Sequence, residues 1–264
     1  MVSINKMKKN IVFVGDSYCS SFRGPSPNRH ESNQQQHGHP TWLNVAAKEL
    51  NLNLYSFGYA GRSWWFSRDR LFRHIQKNPD FVERIEVMVF VHTDYWRFNS
   101  CKSEIGMNLI YSDPKLFDFE TQQLSSALKD WINYLRDDSF QIWAQMQWFE
   151  EINRKFKCSD FKKIHLFTLP FNIEIAAGLD GMIVATPLIH ISLGEVTGTD
   201  SEVADITNDM RANHMSPHNN VVLGKYIVNE VQNYKPGTIK LDLSDFERVN
   251  FNASRWPEPG FGTK

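Results

Sequence analysis

Residues 10 to 17 read Asn10-Ile11-Val12-Phe13-Val14-Gly15-Asp16-Ser17, and this stretch decides the fold. Its unbroken apolar run predicts a strand that is buried on both faces, as in a parallel sheet. Gly15 allows the tight turn that ends such a strand. Ser17 then follows the carboxyl end of the strand, where open α/β sheets bind their ligands. A serine at this position is a candidate nucleophile, and the alternative is a serine that caps a following helix.

Composition restricts the classes of protein to which the chain can belong. The 264 residues are 41% hydrophobic and 22% charged, which is typical of a globular domain with a sizeable core. A formal net charge of -1 favours neither nucleic acid nor a membrane surface as a partner. No apolar run approaches the roughly 20 residues of a membrane span, and no signal peptide is visible, so we expect a cytoplasmic protein. Three widely spaced cysteines predict neither disulfides nor a metal site, and no cofactor is expected.

Strands and helices alternate along the chain. Apolar runs predict further strands over residues 52–57, 85–91, 164–169 and within 181–189. Helical spacing predicts helices that begin at Pro40, at Ser63 and at Asn219, and two more between residues 124 and 152. This alternation indicates the α/β class, with a single three-layer α/β/α domain and a mostly parallel, flavodoxin-like sheet of about five strands.

The domain is predicted to cover residues 1–237, with a helical insertion at about 101–160. Residues 238–264 form a C-terminal extension or tail with a possible short strand over residues 239–241. Residues 22–39 lack any periodic pattern and are predicted to form a mobile loop that covers the site as a lid.

Three predicted strands end in turns that hold residues of catalytic interest, namely Ser17, Gly61 and Thr93. The carboxyl ends of parallel strands share one edge of the sheet, so these residues can meet. A nucleophilic serine also needs a base. The candidates are His214 and His218, which lie just before the last predicted helix.

In their order along the chain, these residues resemble the SGNH (GDSL-type) hydrolase family. The segment 15–17 matches its Gly-Asp-Ser block, Gly61 its second block, and the His-Met-Ser-Pro segment from His214 its last block. The resemblance implies an ester hydrolase with Ser17 as nucleophile and His214, not His218, as base. The backbone N–H groups of Ser17 and Gly61 would then belong to the oxyanion hole.

The chain departs from the family pattern at two positions. The asparagine of the third block, which donates to the oxyanion, is replaced by Thr93, whose hydroxyl would have to substitute for it. The aspartate expected three residues before the catalytic histidine is replaced by Arg211, which cannot accept a hydrogen bond from His214. The nearest carboxylate is Asp209 and the next is Asp205, and either one or a backbone carbonyl could orient the ring.

Aromatic pairs follow two of the strand exits, Trp64 with Trp65 and Tyr95 with Trp96. Since neighbouring residues point in different directions, we expect one ring of each pair to face the core. Flat rings beside a donor such as Arg62 suit a sugar better than a long acyl chain. Arg62, Tyr95 and Trp96 are therefore predicted to bind a short-chain ester, such as an O-acetyl group on a carbohydrate.

Two rival enzyme classes lack their motifs. The chain has no Gly-x-Ser-x-Gly elbow of an α/β-hydrolase and no Gly-x-Gly-x-x-Gly of a dinucleotide-binding protein. The alternative of a different class is a catalytically weak or inactive SGNH-like module that binds glycan or serves in an assembly. The sequence leaves the oligomeric state open.

Overall fold

The computed structural model describes residues 8–19, 40–58, 63–93, 126, 130, 134, 137–168, 173–176, 178–192 and 215–247. The predicted lid, residues 22–39, lies outside them. The strands are β1 Asn10–Val14, β2 Asn53–Ser56, β3 Ile85–His92, β4 Lys162–Phe167, β5 Met182–Val184 and β6 Gly237–Ile239. The helices are α1 Trp42–Glu49, α2 Trp64–Lys77, α3 Asp138–Lys155, α4 Ile173–Ala176 and α5 Pro217–Gln232. Short 3₁₀ turns cover Ser17–Cys19, Pro79–Arg84, Leu188–Ile191 and Leu243–Asp245.

The sheet is entirely parallel and has the strand order β2-β1-β3-β4-β5-β6. This confirms the predicted α/β class and corrects the predicted number of strands from about five to six. The sixth strand, β6, pairs with β5 through Thr238 opposite Ile183 and Ile239 opposite Val184. Its sequence signal is weak because it has three residues and two of them are exposed.

β1 lies between β2 and β3, and both of its faces are buried. Ile11 and Phe13 pack into one apolar cluster, and Val12 and Val14 pack into a second cluster on the opposite face. The predicted two-sided burial of this run is therefore confirmed.

Helices cover both faces of the sheet, which gives the three predicted layers. α1 and α5 contribute to the first cluster through Trp42, Leu43, Leu223, Ile227 and Val231. α2 and α3 contribute to the second through Leu71, Trp148, Phe149 and Ile152. The helix α3 comes from the segment predicted as an insertion, and it packs on the sheet between β3 and β4. None of the helices that the structure describes combines the length and apolar character that a membrane span requires.

The N-termini of α1 and α5 are joined by one buried asparagine. The side-chain oxygen of Asn220 accepts a hydrogen bond from the N–H of Trp42 at 2.9 Å. Its Nδ2 donates to the carbonyl oxygens of Met215 at 3.3 Å and Ser216 at 3.0 Å. The segment that leads into α5 is thereby fixed beside the start of α1.

Gly15 lies where β1 comes closest to β3. A Cβ atom at this position would lie 2.7 Å from Cβ of Val91 and 2.9 Å from Sγ of Cys19, and closer still to the carbonyl oxygen of Val91. Side chains do not approach each other this closely, so the packing requires glycine here whatever its backbone conformation. The end of β1 can therefore pack this closely against β3 only because residue 15 has no side chain.

We expect Gly15→Ala to lower the free energy of unfolding by about 1–3 kcal/mol, because the added methyl group forces β1 and β3 apart. Urea denaturation measures this loss. Gly178→Ala is the matched control, since no atom of the described residues lies within 4 Å of a Cβ atom at Gly178. Equal stability of the two variants would contradict the close packing at Gly15.

Candidate active site

The turn that follows β1 is organised by Asp16. Its buried carboxylate accepts a hydrogen bond from the N–H of Tyr18 at 3.0 Å, and its carbonyl accepts one from the N–H of Cys19 at 3.2 Å. Asp16 is therefore a hydrogen-bond acceptor within the turn. Ser17 begins the 3₁₀ turn, and its side chain lies outside the described part of the chain. Its role as nucleophile remains a prediction.

Three neighbouring elements hold this turn in place. The indole N–H of Trp42 donates to the carbonyl of Tyr18 at 2.7 Å, and the hydroxyl of Ser56 donates to the carbonyl of Cys19 at 2.5 Å. The phenol oxygen of Tyr18 lies 2.6 Å from Oγ of Ser192. A backbone fixed from several sides is what a preorganised site needs.

Cys19 is the other nucleophilic residue type in this turn, and its environment disfavours the thiolate. Burial raises the pKa of the Cys19 thiol well above its usual value, and the nearby charge of Asp16 raises it further. Because the thiolate is the nucleophilic form, Cys19 is a packing residue and not a reactive one.

The exit of β3 presents a buried hydroxyl without a partner. Thr93 is 2% exposed, and within the described part of the chain its Oγ1 forms no hydrogen bond. Its carbonyl accepts a hydrogen bond from Nε2 of Gln145 at 2.9 Å, and the carbonyl of His92 accepts one from the N–H of Thr168 at 2.9 Å. The backbone is thus fixed, while the hydroxyl has no partner among the described residues. Sequence reasoning found Thr93 but missed Gln145, because nothing in a helical pattern marks which polar residue reaches a distant carbonyl.

Two buried histidines lie next to this exit. Nε2 of His92 and Nδ1 of His165 are 2.9 Å apart, and Nε2 of His165 is 3.2 Å from the carbonyl oxygen of Asp180. Since a carbonyl only accepts, His165 donates from Nε2 and accepts at Nδ1, and His92 donates from its own Nε2. Burial lowers the pKa of His165 to about 4 and that of His92 well below its usual value, with a further lowering of the latter by His165. Both rings are therefore neutral at neutral pH.

The N-terminus of α2 lies against the end of β1. Ser67 donates a hydrogen bond from its hydroxyl to the carbonyl of Gly15. Ser63 occupies the N-cap position, as the sequence predicts, but its side chain makes no capping bond. Its Oγ is buried and forms no hydrogen bond in the part of the chain that the structure describes. The helix begins at Trp64, one residue after the predicted start, and the hydroxyl of Ser63 does not cap it.

The predicted base and the residues expected to orient it lie outside the described part of the chain. They are His214, Asp209, Asp205 and Arg211. The competing base, His218, is exposed, and its Nε2 is 3.0 Å from the carbonyl oxygen of Asp245.

The other predicted site residues also lie outside the described part of the chain. The role of Gly61 in the oxyanion hole and the roles of Arg62, Tyr95 and Trp96 in substrate binding therefore stay predictions. The neighbouring aromatic pair is described. Trp64 stacks on Trp148 with ring centroids 6.1 Å apart, whereas Trp65 is half exposed with the guanidinium carbon of Arg68 4.7 Å from its ring centroid. As predicted for this pair, one ring packs inward and the other stays exposed.

α3 extends beyond α2 at the edge of the sheet where the strands end. Trp148, the eleventh residue of α3, stacks on Trp64, the first residue of α2. At 1.5 Å per residue, the first ten residues of α3 reach about 15 Å further than α2. Phe140 and Trp143 lie in this part and are more than half exposed, with ring centroids 5.7 Å apart. Sequence reasoning did not single out these two rings.

Among the described residues, no group of three or more His, Cys, Asp or Glu side chains could hold a metal ion.

Comparison with known proteins finds similarity among solved structures alone. No protein-family model matches the chain, and no curated protein matches it. One solved structure, described as a "putative lipolytic protein of G-D-S-L family" from Desulfitobacterium hafniense DCB-2, is similar at 12% sequence identity and a TM-score of 0.40. The match covers 84% of this chain and 99% of that one. Values this low establish neither a shared fold nor a shared site.

We expect Thr93→Val to leave the free energy of unfolding unchanged or to raise it by about 1 kcal/mol. The substitution replaces a buried hydroxyl that has no partner with a methyl group of similar size. Thermal or urea denaturation measures the effect.

Thr186→Val is the matched control, because Oγ1 of Thr186 accepts a hydrogen bond from the N–H of Leu241 at 3.0 Å. Its loss leaves that N–H buried and unpaired, at a cost of about 1–3 kcal/mol. If the two variants were destabilised alike, Thr93 would have a partner after all.

Proposed function

We propose that this protein is a serine ester hydrolase of the SGNH type, with Ser17 as the nucleophile and His214 as the base. The observation that carries the proposal is the unpartnered, buried hydroxyl of Thr93 beside the turn that begins at Ser17.

The strand order supports this location for the site. In the order β2-β1-β3-β4-β5, the direction of winding reverses between β1 and β3, and open α/β sheets bind ligands in the crevice at that point. Val14 of β1 is paired with Phe90 of β3. Ser17 and Thr93 each follow three residues after this pair, beyond strands that lie about 5 Å apart. Their positions after neighbouring strands support a shared location for the predicted nucleophile and the hydroxyl of Thr93.

Hydrogen bonds support the participation of His214. The carbonyl of Tyr18 is bonded to the side chain of Trp42, whose N–H is bonded to Asn220, which in turn holds the carbonyl of Met215. Ser17 directly precedes Tyr18, and His214 directly precedes Met215. The backbone flanking both predicted catalytic residues is thus tied to the start of α1. His218 is an unsuitable base by comparison, because its ring is engaged at the surface with Asp245.

The proposed mechanism is acyl transfer in two steps. Oγ of Ser17 attacks the ester carbonyl while His214 takes its proton, and His214 then protonates the leaving alcohol. The oxyanion is stabilised by the N–H groups of Ser17 and Gly61 and by the hydroxyl of Thr93. Water hydrolyses the acyl-enzyme by the same route. Asp209, or Asp205 in its place, orients the imidazole of His214.

A short acyl group on a carbohydrate is the proposed substrate, with Arg62, Tyr95 and Trp96 as its binding residues. The exposed ring of Trp65 at the start of α2 supports a flat, amphipathic wall near the crevice. Phe140 and Trp143 add two exposed rings within about two turns of Gln145, which binds the exit of β3.

We expect Ser17→Ala and His214→Ala each to abolish ester hydrolysis, because one removes the nucleophile and the other removes its base. His218→Ala is the matched control and should keep most of the activity. Turnover of a 4-nitrophenyl ester and labelling by a fluorophosphonate probe, which reacts only with an activated serine, measure the effect. An active Ser17→Ala variant, or loss of activity in His218→Ala alone, would contradict the assignment.

The same probe separates the enzyme from the alternative, an SGNH-like module that binds glycan without cleaving it. Thr93 replaces the family's third-block asparagine and Arg211 replaces its aspartate, and both replacements favour that alternative. The presence of Ser17 and His214 opposes it. If the intact protein binds glycan but is not labelled by the fluorophosphonate probe, it is a binding module and not an esterase.

We expect rates to fall as the acyl chain of an aryl ester lengthens, and acetate to be released from an O-acetylated polysaccharide. A crevice lined by flat aromatic rings offers little aliphatic surface for a long chain. A chain-length series from acetyl to dodecanoyl, run beside acetate detection, measures this. Rates that rise steadily with chain length, without acetate release, would refute the substrate class.

A further inference from the structure

Ser63 lies one helical turn beyond the contact between α2 and β1. Residues four apart share one face of a helix, and Ser67, four residues after Ser63, donates its hydroxyl hydrogen bond to the carbonyl of Gly15. One turn rises 5.4 Å toward the N-terminus of α2. Ser63 is therefore displaced from Gly15 in the direction of the turn that begins at Ser17, toward the proposed crevice.

The hydroxyl of Ser63 is buried and has unused hydrogen-bonding capacity. The residue is 2% exposed, and its Oγ has no partner within the described part of the chain. The N-cap side chains of α1, α3 and α5 all accept a hydrogen bond from their own helix, and that of α2 does not. A buried hydroxyl without a partner is unfavourable in a folded protein, so its retention points to a ligand.

The helix that begins at Ser63 favours negative charge at this end. α2 is 14 residues long and has no acidic residue in its first turn. The free N–H groups and the macrodipole of a helix of this length attract anions to its N-terminus. A second unpartnered hydroxyl, that of Thr93, lies at the exit of the neighbouring β3.

We infer that Ser63 donates a hydrogen bond from Oγ to the oxyanion formed during ester attack, in addition to Thr93. This inference rests on the proposed function. When Oγ of Ser17 bonds to the carbonyl carbon, the π electron pair of the C=O bond moves onto oxygen and the serine proton passes to His214. The oxygen then carries a negative charge that it lacked in the bound ester, and the hydroxyl of Ser63 stabilises that charge. The charge is lost again when the C=O bond reforms and the alcohol leaves.

The test compares Ser63→Ala with Ser216→Ala, the loss of a second N-cap serine. Oγ of Ser216 accepts a capping hydrogen bond from the N–H of Asn219 at 3.0 Å. Ser63→Ala should lower kcat for a 4-nitrophenyl ester about a hundredfold to a thousandfold, with KM and the melting temperature unchanged. Ser216→Ala should lower the melting temperature by about 2–4 °C. Ser63→Thr retains the hydroxyl and should retain most of kcat.

Each outcome has one meaning. Normal kcat in Ser63→Ala, a change in KM alone, or equal loss in Ser63→Thr and Ser63→Ala overturns the inference while the proposed function stands. Failure of the intact protein to turn over ester or to react with a fluorophosphonate overturns both. If Ser63→Ala does not fold, Ser63→Gly replaces it, because glycine is well tolerated at N-cap positions.

Discussion

The contact between Gly15 and β3 is the constraint on which the site depends. There is no room for a Cβ atom between Gly15 and Val91, and the carbonyl of Gly15 is bonded to Ser67 of α2. One glycine therefore brings two strands and a helix together at a single point. The proposed crevice lies beyond that point, between the ends of β1 and β3. A larger residue would separate the elements that form the walls of the crevice.

The buried asparagines at the start of α5 differ from the buried hydroxyls at the proposed crevice. Asn219 and Asn220 satisfy several backbone groups around the start of α5. At the crevice, by contrast, the hydroxyls of Ser63 and Thr93 are buried without partners among the described residues. Natural proteins accept such local loss of stability where function requires it. This contrast supports the proposed location of the site.

The sequence predicts the framework better than the support of the site. The apolar run of β1 suffices because all five of its residues are buried, and the helical spacing of α5 suffices because one face of that helix packs into the core. β6 is short and exposed, so its pairing with β5 depends on tertiary contacts that no local pattern records. Gln145 and Ser67 each bind a carbonyl far away in sequence, which polarity alone cannot predict. Ser63 is recognised as a helix start because N-cap preferences are local. No local pattern shows, however, that its hydroxyl has no partner among the described residues.

The pair of buried histidines makes the end of β3 sensitive to acid. In the unfolded chain a histidine takes up a proton near pH 6.5, whereas in the folded protein His165 does so only near pH 4, and His92 is also shifted well downward. Below pH 6.5 the unfolded chain binds more protons than the folded protein, so acidification favours unfolding until the buried rings also become protonated. Above pH 6.5 both rings are neutral in either state, and this cost disappears. The hydrogen-bonded pair thus sets a lower pH limit for an intact strand end at Thr93.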